Sequence, residues 1–184
     1  RPRFCSELGL HSVPSLRLIK EFATSEEDLN SAAAVVEHHQ RNKGGNARIA
    51  ETMFRNFRFP MDFGNFVYLS QIQHGLAMRM AVEYWRSLKP HCMGTLYWQL
   101  NDTWPVASWS GLDHRGSWKS MHYMARRFYA PVLVTARKCE DEFIISAVSD
   151  LVEVFALSLE VVAVSLSASK SIFYSGKVNL SPDA

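Results

Sequence analysis

Cysteine is scarce in this chain. Cys5, Cys92 and Cys139 are the three among 184 residues, widely separated and in no paired spacing. Such a set suits neither a disulfide framework nor a cysteine-based zinc site. Concentrated basic charge is also missing. Twenty Lys and Arg stand against eighteen Asp and Glu, giving a formal net charge of +2, and Arg126-Arg127 is the densest cationic pair. With no basic stripe to neutralise a phosphate backbone, nucleic acid is not an expected partner. Polar or charged residues interrupt every apolar stretch well before the roughly 18 positions a membrane span needs, so no membrane insertion is expected. The chain opens on "RPRFCSELGL" with no Met, no signal peptide and no charged leader. What it does have is core-forming material: 47% hydrophobic and 12% aromatic residues argue for a sizeable packed core rather than disorder.

The apolar spacing divides the chain into elements. A short strand around Phe4-Cys5 ends in the acid Glu7 and a turn at Gly9. "SVPSLRLIKEF" predicts a helix starting near Pro14. "TSEEDLN" supplies a cap-like Thr24 or Ser25 followed by acids, and "SAAAVVEHHQ" is helical by propensity until "NKGGN" breaks it. "ARIAETMFRNF" predicts a further helix with Ile49, Met53 and Phe57 on one face. The strongest periodicity runs from about 65 to 88, where Leu69, Ile72, Leu76, Met80 and Tyr84 form a stripe and Pro90 stops the helix. "GTLYWQL" reads as a buried strand, and "SWKSMHYMARRFY" as the last helix. After residue 130 the texture changes to four Val- and Ile-rich runs spaced near ten residues, the pattern of a β-sandwich. The expectation is therefore α/β architecture with parallel strands over 1–130 and a β domain over 131–184. Two parallel strands and four antiparallel ones complete neither, so the chain reads as a fragment spanning the end of one domain and the start of another. Its unpaired strand edge predicts poor folding in isolation.

Two strand ends carry the residues of chemical interest. Glu7 lies at the C-terminal end of the first strand, where parallel α/β proteins build their active sites; a solvated loop acid is the plain alternative. At the end of the second strand, "YWQLNDTWP" gathers Trp98, Trp104, Asn101 and Asp102. Indole faces pack against the C–H faces of sugars, and an Asn-Asp pair offers directional donors and acceptors to hydroxyls. The alternative is that the Trp residues are core and Asn101-Asp102 is turn chemistry. Adjacent His38 and His39 point about 100° apart on a helix and are poorly placed to share an ion. Asn101-Asp102-Thr103 and Asn179-Leu180-Ser181 fit the N-glycosylation pattern formally.

"RFCSELGLHS", followed about ninety residues later by "GTLYWQLNDTWPVASWSGLDHRGSWKSMHYMARRFYAPVLV", resembles the β-mannosidases of glycoside hydrolase family 2. The match runs through "HHQRNKGGN" and covers roughly residues 1 to 135. Trp98, Gln99, Leu100, Asn101, Asp102, Trp104, Pro105, Trp109, Trp118, Lys119 and His122 all fall in place. The resemblance implies strands seven and eight of a TIM (β/α)8 barrel with their helices, then the beginning of an immunoglobulin-like β-sandwich.

It further implies a retaining exo-glycosidase that removes terminal β-mannose from a β-mannoside oligosaccharide or glycan. Within Ser6-Glu7-Leu8-Gly9, Glu7 takes the place of the nucleophile; Trp98 matches the aromatic wall of the sugar subsite, and Asn101-Asp102 a polar turn of the pocket. No metal and no organic cofactor is implied. The family's acid/base Glu follows an Asn, and this chain contains no Asn-Glu dipeptide, so the fragment is expected to be inactive alone. Leu8 and Leu10 stand where the family usually has aromatic residues, and His11 where it usually has Gln. Related family 2 activities, β-galactosidase or β-glucuronidase, and a non-catalytic fragment remain open. The compartment is not indicated.

Overall fold

Helices fill the first two thirds of the chain and hairpins the rest in the computed structural model, which describes residues 2–182. Helix α1 (Leu16–Phe22) begins one turn-residue after Pro14, because the Ser15 hydroxyl accepts the Leu18 N–H at 3.2 Å and caps it. The acids of "TSEEDLN" close a single 3-10 turn, Glu26–Asp28, instead of opening a long helix. The reason is local: the Asp28 carboxylate reaches back to the N–H groups of Thr24 and Ser25 at 2.8 and 3.0 Å. Helix α2 (Ala34–His38) is correspondingly short, and α3 (Gly45–Asn56) stops just before Phe57.

Helix α4 (Phe63–Arg86) is capped by Asp62, whose carboxylate accepts the Asn65 N–H at 2.7 Å. It differs from expectation in the face it buries. Met80 and Leu76 of the anticipated stripe are exposed, whereas Phe66, Val67, Ser70, Gln71, His74, Met78, Val82 and Arg86 are buried. Half of that face is polar and partly bonded: Ser70 accepts from the Val13 N–H, and Gln71 bridges the Val13 carbonyl and the Ser120 N–H, whereas the buried Gln73 amide and His74 Nε2 have no protein partner among the described residues. A hydrophobicity pattern cannot see a face of this kind. Helix α5 (Ser120–Phe128) crosses α4 at Gly75, where a Cβ would lie 2.6 Å from the Met124 sulfur. Met78, Val82, Met121, Ala125 and Phe128 form the core between them. A second core under α1, α2 and α3 gathers Val13, Ile19, Val36, Ile49, Met53, Phe66 and Val67.

The two strand-like segments around Cys5 and Thr95 run parallel, as expected. Cys5 N–H bonds the Gly94 carbonyl at 2.9 Å, Leu96 N–H the Cys5 carbonyl at 2.8 Å, and Trp98 N–H the Leu8 carbonyl at 2.8 Å. The second segment is not the fully buried strand its composition suggests. Alternation turns Thr95 and Tyr97 toward Tyr129, with the Thr95 and Tyr129 hydroxyls 3.0 Å apart. Leu96, Trp98 and Leu100 point the other way and are exposed, as is Phe4.

The four expected β runs form two antiparallel hairpins. Strands β1 (Val132–Cys139) and β2 (Glu142–Ser149) pair from Val132–Ser149 to Cys139–Glu142. Strands β3 (Phe155–Val164) and β4 (Lys170–Leu180) pair from Phe155–Leu180 to Val164–Lys170, with a register shift between Val161 and Val162. The hairpins face each other across an apolar cavity of about 810 Å³ lined by Ala136, Phe143, Ile145, Leu159, Val161 and Phe173. They join the helical part through Asp150, which accepts from Arg86 at 2.7 Å and Lys89 at 2.5 Å, and through the Thr135 hydroxyl, which donates to Glu83 at 2.8 Å. Among the described residues no helix is long and apolar enough to cross a membrane.

Candidate active site

The parallel pairing brings the two chemically interesting strand ends side by side. Glu7 is exposed at the end of the first segment, one residue before the Leu8 carbonyl that accepts the Trp98 N–H. Trp98 is 51% exposed on the adjoining end. What lets the two backbones approach is Gly9: a Cβ there would stand 2.5 Å from the Trp98 carbonyl oxygen and 2.8 Å from the Trp109 ring. No side chain fits between them. The peptide between Trp98 and Gln99 is cis.

A third stretch, 107–112, wraps both ends. Ser12 and Ser108 exchange backbone hydrogen bonds at 2.9 and 3.1 Å. Gln99 N–H bonds the Trp109 carbonyl at 3.2 Å, and Gly111 N–H returns to the Gln99 carbonyl at 3.1 Å. The polar turn that follows Trp98 is divided in its roles. Asn101 is exposed, and its amide donates to the Asp102 carbonyl at 3.2 Å. Asp102 is only 4% exposed and turns inward, where its carboxylate accepts from the Ser110 hydroxyl at 2.6 Å, the Ser108 hydroxyl at 2.9 Å and Gln99 Nε2 at 3.2 Å.

Beneath that carboxylate lies Lys119, fully buried, its ammonium 3.3 Å from the Ser110 hydroxyl and 3.5 Å from the Ser108 carbonyl. Burial pulls its pKa from the ordinary lysine value down to about 8, against the opposing attraction of Asp102 and Asp113. Two histidines stand nearby. His11 packs edge-on against Trp109 with ring centres 4.0 Å apart, within reach of the Asn42 amide. Burial first, then the charges of Arg48 and Lys119, lower it to about 4, so it is neutral at pH 7. His74, hydrogen-bonded to the Ser12 hydroxyl at 3.0 Å, is held well below the usual histidine range by burial and by the same lysine.

The remaining residues noted in the sequence lie apart. His39 is stacked between Phe22 and Trp104, and its Nδ1 donates to the Pro105 carbonyl at 2.5 Å, while His38 is exposed. Arg41 sits 4.9 Å over the Trp104 ring, so this tryptophan is packed into a side-chain stack. Among the described residues no group of three or more His, Cys, Asp or Glu is placed to hold a metal ion. Sequence reasoning passed over Ser108, Ser110 and Lys119 as site residues. The two serines flank Trp109 in "SWS" and so share a face of an extended segment, the one local signal for Ser108 and Ser110; Lys119 has none of that kind.

No protein-family model matches the chain. Over 164 residues it is 35% identical to a β-mannosidase of Capra hircus and 34% identical to one of Mus musculus, each match covering 82% of this chain and 18% of the relative. A β-mannosidase B of Aspergillus niger is 34% identical over 139 residues, covering 74% of this chain and 16% of that protein. The chain thus spans less than a fifth of the length of these relatives. A crystal structure of β-D-mannosidase from Dictyoglomus thermophilum superimposes with a TM-score of 0.93 at 29% identity, over 99% of this chain and 22% of that one. An exo-chitosanase from Amycolatopsis orientalis shares the fold, with a TM-score of 0.75 at 14% identity, over 96% of this chain and 22% of its own. In sequence and in fold the chain is thus similar to a segment of β-mannosidases, the proteins its motifs resemble.

Proposed function

We propose that this β-mannosidase-like chain carries the nucleophile half of the active site of a retaining exo-glycosidase that removes terminal β-mannose. The observation that carries the reading is the bond from the Trp98 N–H to the Leu8 carbonyl, the residue after Glu7, with Gly9 packed against the Trp98 carbonyl. Glu7 is thus on the segment that adjoins the one bearing an exposed indole, and a carboxylate with an indole is the combination needed to hold a sugar ring over a nucleophile. In this reading residues 1–130 are strands seven and eight of a (β/α)8 barrel with their helices, and 131–184 begin an immunoglobulin-like sandwich. The parallel bonding of the Cys5 and Thr95 segments across a 24-residue helix supports the first assignment, and the two facing hairpins support the second.

The Glu7 carboxylate attacks the anomeric carbon as the glycosidic bond breaks. A second carboxylic acid protonates the departing oxygen, and as a carboxylate it then activates the water that releases mannose from Glu7. A retaining enzyme holds these two groups about 5–5.5 Å apart. The second group comes from outside these 184 residues, which contain no Asn-Glu pair, and the chain by itself does not turn over. Trp98 forms the wall of the sugar subsite and Asn101 its polar rim. Asp102 serves from below, holding the turn through Ser108 and Ser110.

Glu7→Gln in the full-length protein is expected to lower kcat on an aryl β-mannoside by at least about 10³-fold, because the covalent step has no substitute. A panel of chromogenic β-glycosides tests the sugar. Cleavage of galactoside or glucuronide without mannoside would overturn the assignment.

A further inference from the structure

Lys119 costs the fold more than it returns by ordinary accounting. An ammonium taken out of water loses several kcal/mol of hydration, and well-packed apolar side chains often replace buried ion pairs without loss of stability. Yet it stands fully buried between the wall and nucleophile segments, not at a surface where it could keep its hydration. Its ammonium contacts Ser108 and Ser110. Ser108 is bonded through its backbone to Ser12, on the segment that leaves Glu7. Both serine hydroxyls donate to Asp102, in the turn that leaves Trp98. The Lys119 backbone N–H bonds the Gly111 carbonyl at 2.9 Å, and Gly111 bonds back to Gln99, which fixes where the side chain enters. Through Ser108 and Ser110 that side chain reaches both strand ends.

We propose that Lys119 is a positioning residue of the glycosidase site, setting the spacing of Glu7 and Trp98 from beneath through Ser108, Ser110 and the Asp102 carboxylate. This rests on the function proposed above. The positive charge is the working feature: without it Asp102 faces only neutral donors, and the turn under Trp98 is free to shift. Misplacing a reacting group by about 1 Å costs on the order of 10²-fold in rate.

The groups facing the ammonium are Asp102 and Asp113 on the turns above it, His74 on α4 and His11 on the segment beyond Glu7. On its own element, His122 follows one turn later, its N–H bonded to the Lys119 carbonyl. The histidines are neutral at and above pH 7, His11 and His74 being held low by burial, as is His122. Between pH 7 and 9 the charge that changes in this cluster is that of Lys119, which is lost above about pH 8.

The test uses the full-length protein and dinitrophenyl β-mannoside, whose leaving group departs without a proton. The alkaline limb of kcat/KM is then freed from the acid that normally assists departure. Wild type is expected to decline above about pH 8. Lys119→Arg, which keeps its charge, is expected to move that decline upward by at least about one pH unit. Lys119→Met is expected to lose about ten- to hundredfold in kcat at pH 7 with KM changed less than about threefold. Activity of Lys119→Met within about twofold of wild type across the range would overturn the proposal. If that variant does not fold, an alkaline limb in Lys119→Arg unmoved from wild type overturns it instead. Glu7→Gln runs alongside: if it stays active, the functional reading itself fails, whereas an inactive Glu7→Gln with a fully active Lys119→Met rejects the role of Lys119 alone.

Discussion

Two histidines buried in the uncharged form couple this site to acid. In the unfolded chain His11 takes a proton below about pH 6.5; in the folded chain it does so only near pH 4. Between those values the unfolded state binds more protons, so folding stability must fall as pH falls. His74, shifted in the same direction, adds to the slope. His11→Gln removes one of the two groups, and the full-length variant is expected to show a shallower drop in Tm between pH 6.5 and 4 than wild type. A parallel drop would mean that His11 protonates as readily folded as unfolded. At this scale the sequence was partly legible. Glu7 and Trp98 could be paired because both sit at strand ends, and parallel strands set such ends together. The orientation of Asp102 could not be read, since an aspartate in a turn has the same sequence whether it faces solvent or two buried serines. Lys119 was hidden for a related reason: a lysine just before a helix is ordinarily a surface residue.

The helices show where local rules suffice and where they stop. Ser15 and Asp62 set the starts of α1 and α4 by side-chain capping, which sequence patterns capture well. The buried face of α4 was misread because Ser70, Gln71 and His74 are paid for by hydrogen bonds to Val13, Ser120 and Ser12, partners that are distant in sequence. Tertiary contact decides that face, not periodicity. The α4–α5 crossing offers a direct check. Gly75→Leu would drive a side chain into Met124 and the Met121 backbone, and a loss of about 1–3 kcal/mol on denaturant unfolding is expected. Gly75→Ala should cost less, because the Met124 thioether can swing aside. Equal stability of Gly75→Leu and wild type would mean the helices are not in contact there.

Across the whole chain, the helical part and the hairpins meet at a carboxylate. Arg86 and Lys89 have buried side chains, and both donate to Asp150, which is half exposed. Arg86 also bonds the Phe128 carbonyl at 2.6 Å and Lys89 the Ser149 carbonyl at 2.8 Å. Asp150→Ala leaves two buried cations short of an acceptor, and a loss of about 1–3 kcal/mol is expected. Asp150→Asn, which retains one acceptor oxygen, should fall between that variant and wild type in Tm; a Tm of Asp150→Ala equal to wild type would show the junction is held elsewhere. The composition change near residue 130 made the switch from helices to hairpins readable in advance, but nothing in it pointed to this junction, whose members lie more than 60 residues apart. Its geometry has a mechanical consequence. A single contact would let a hairpin swivel about the end of α4, as a door does on a pin; the first hairpin has in addition the Thr135–Glu83 bond. Two fixing points on the same carboxylate, one to each oxygen, resist torque as well as separation, so the joint behaves as a bracket that sets the heading of everything mounted beyond it.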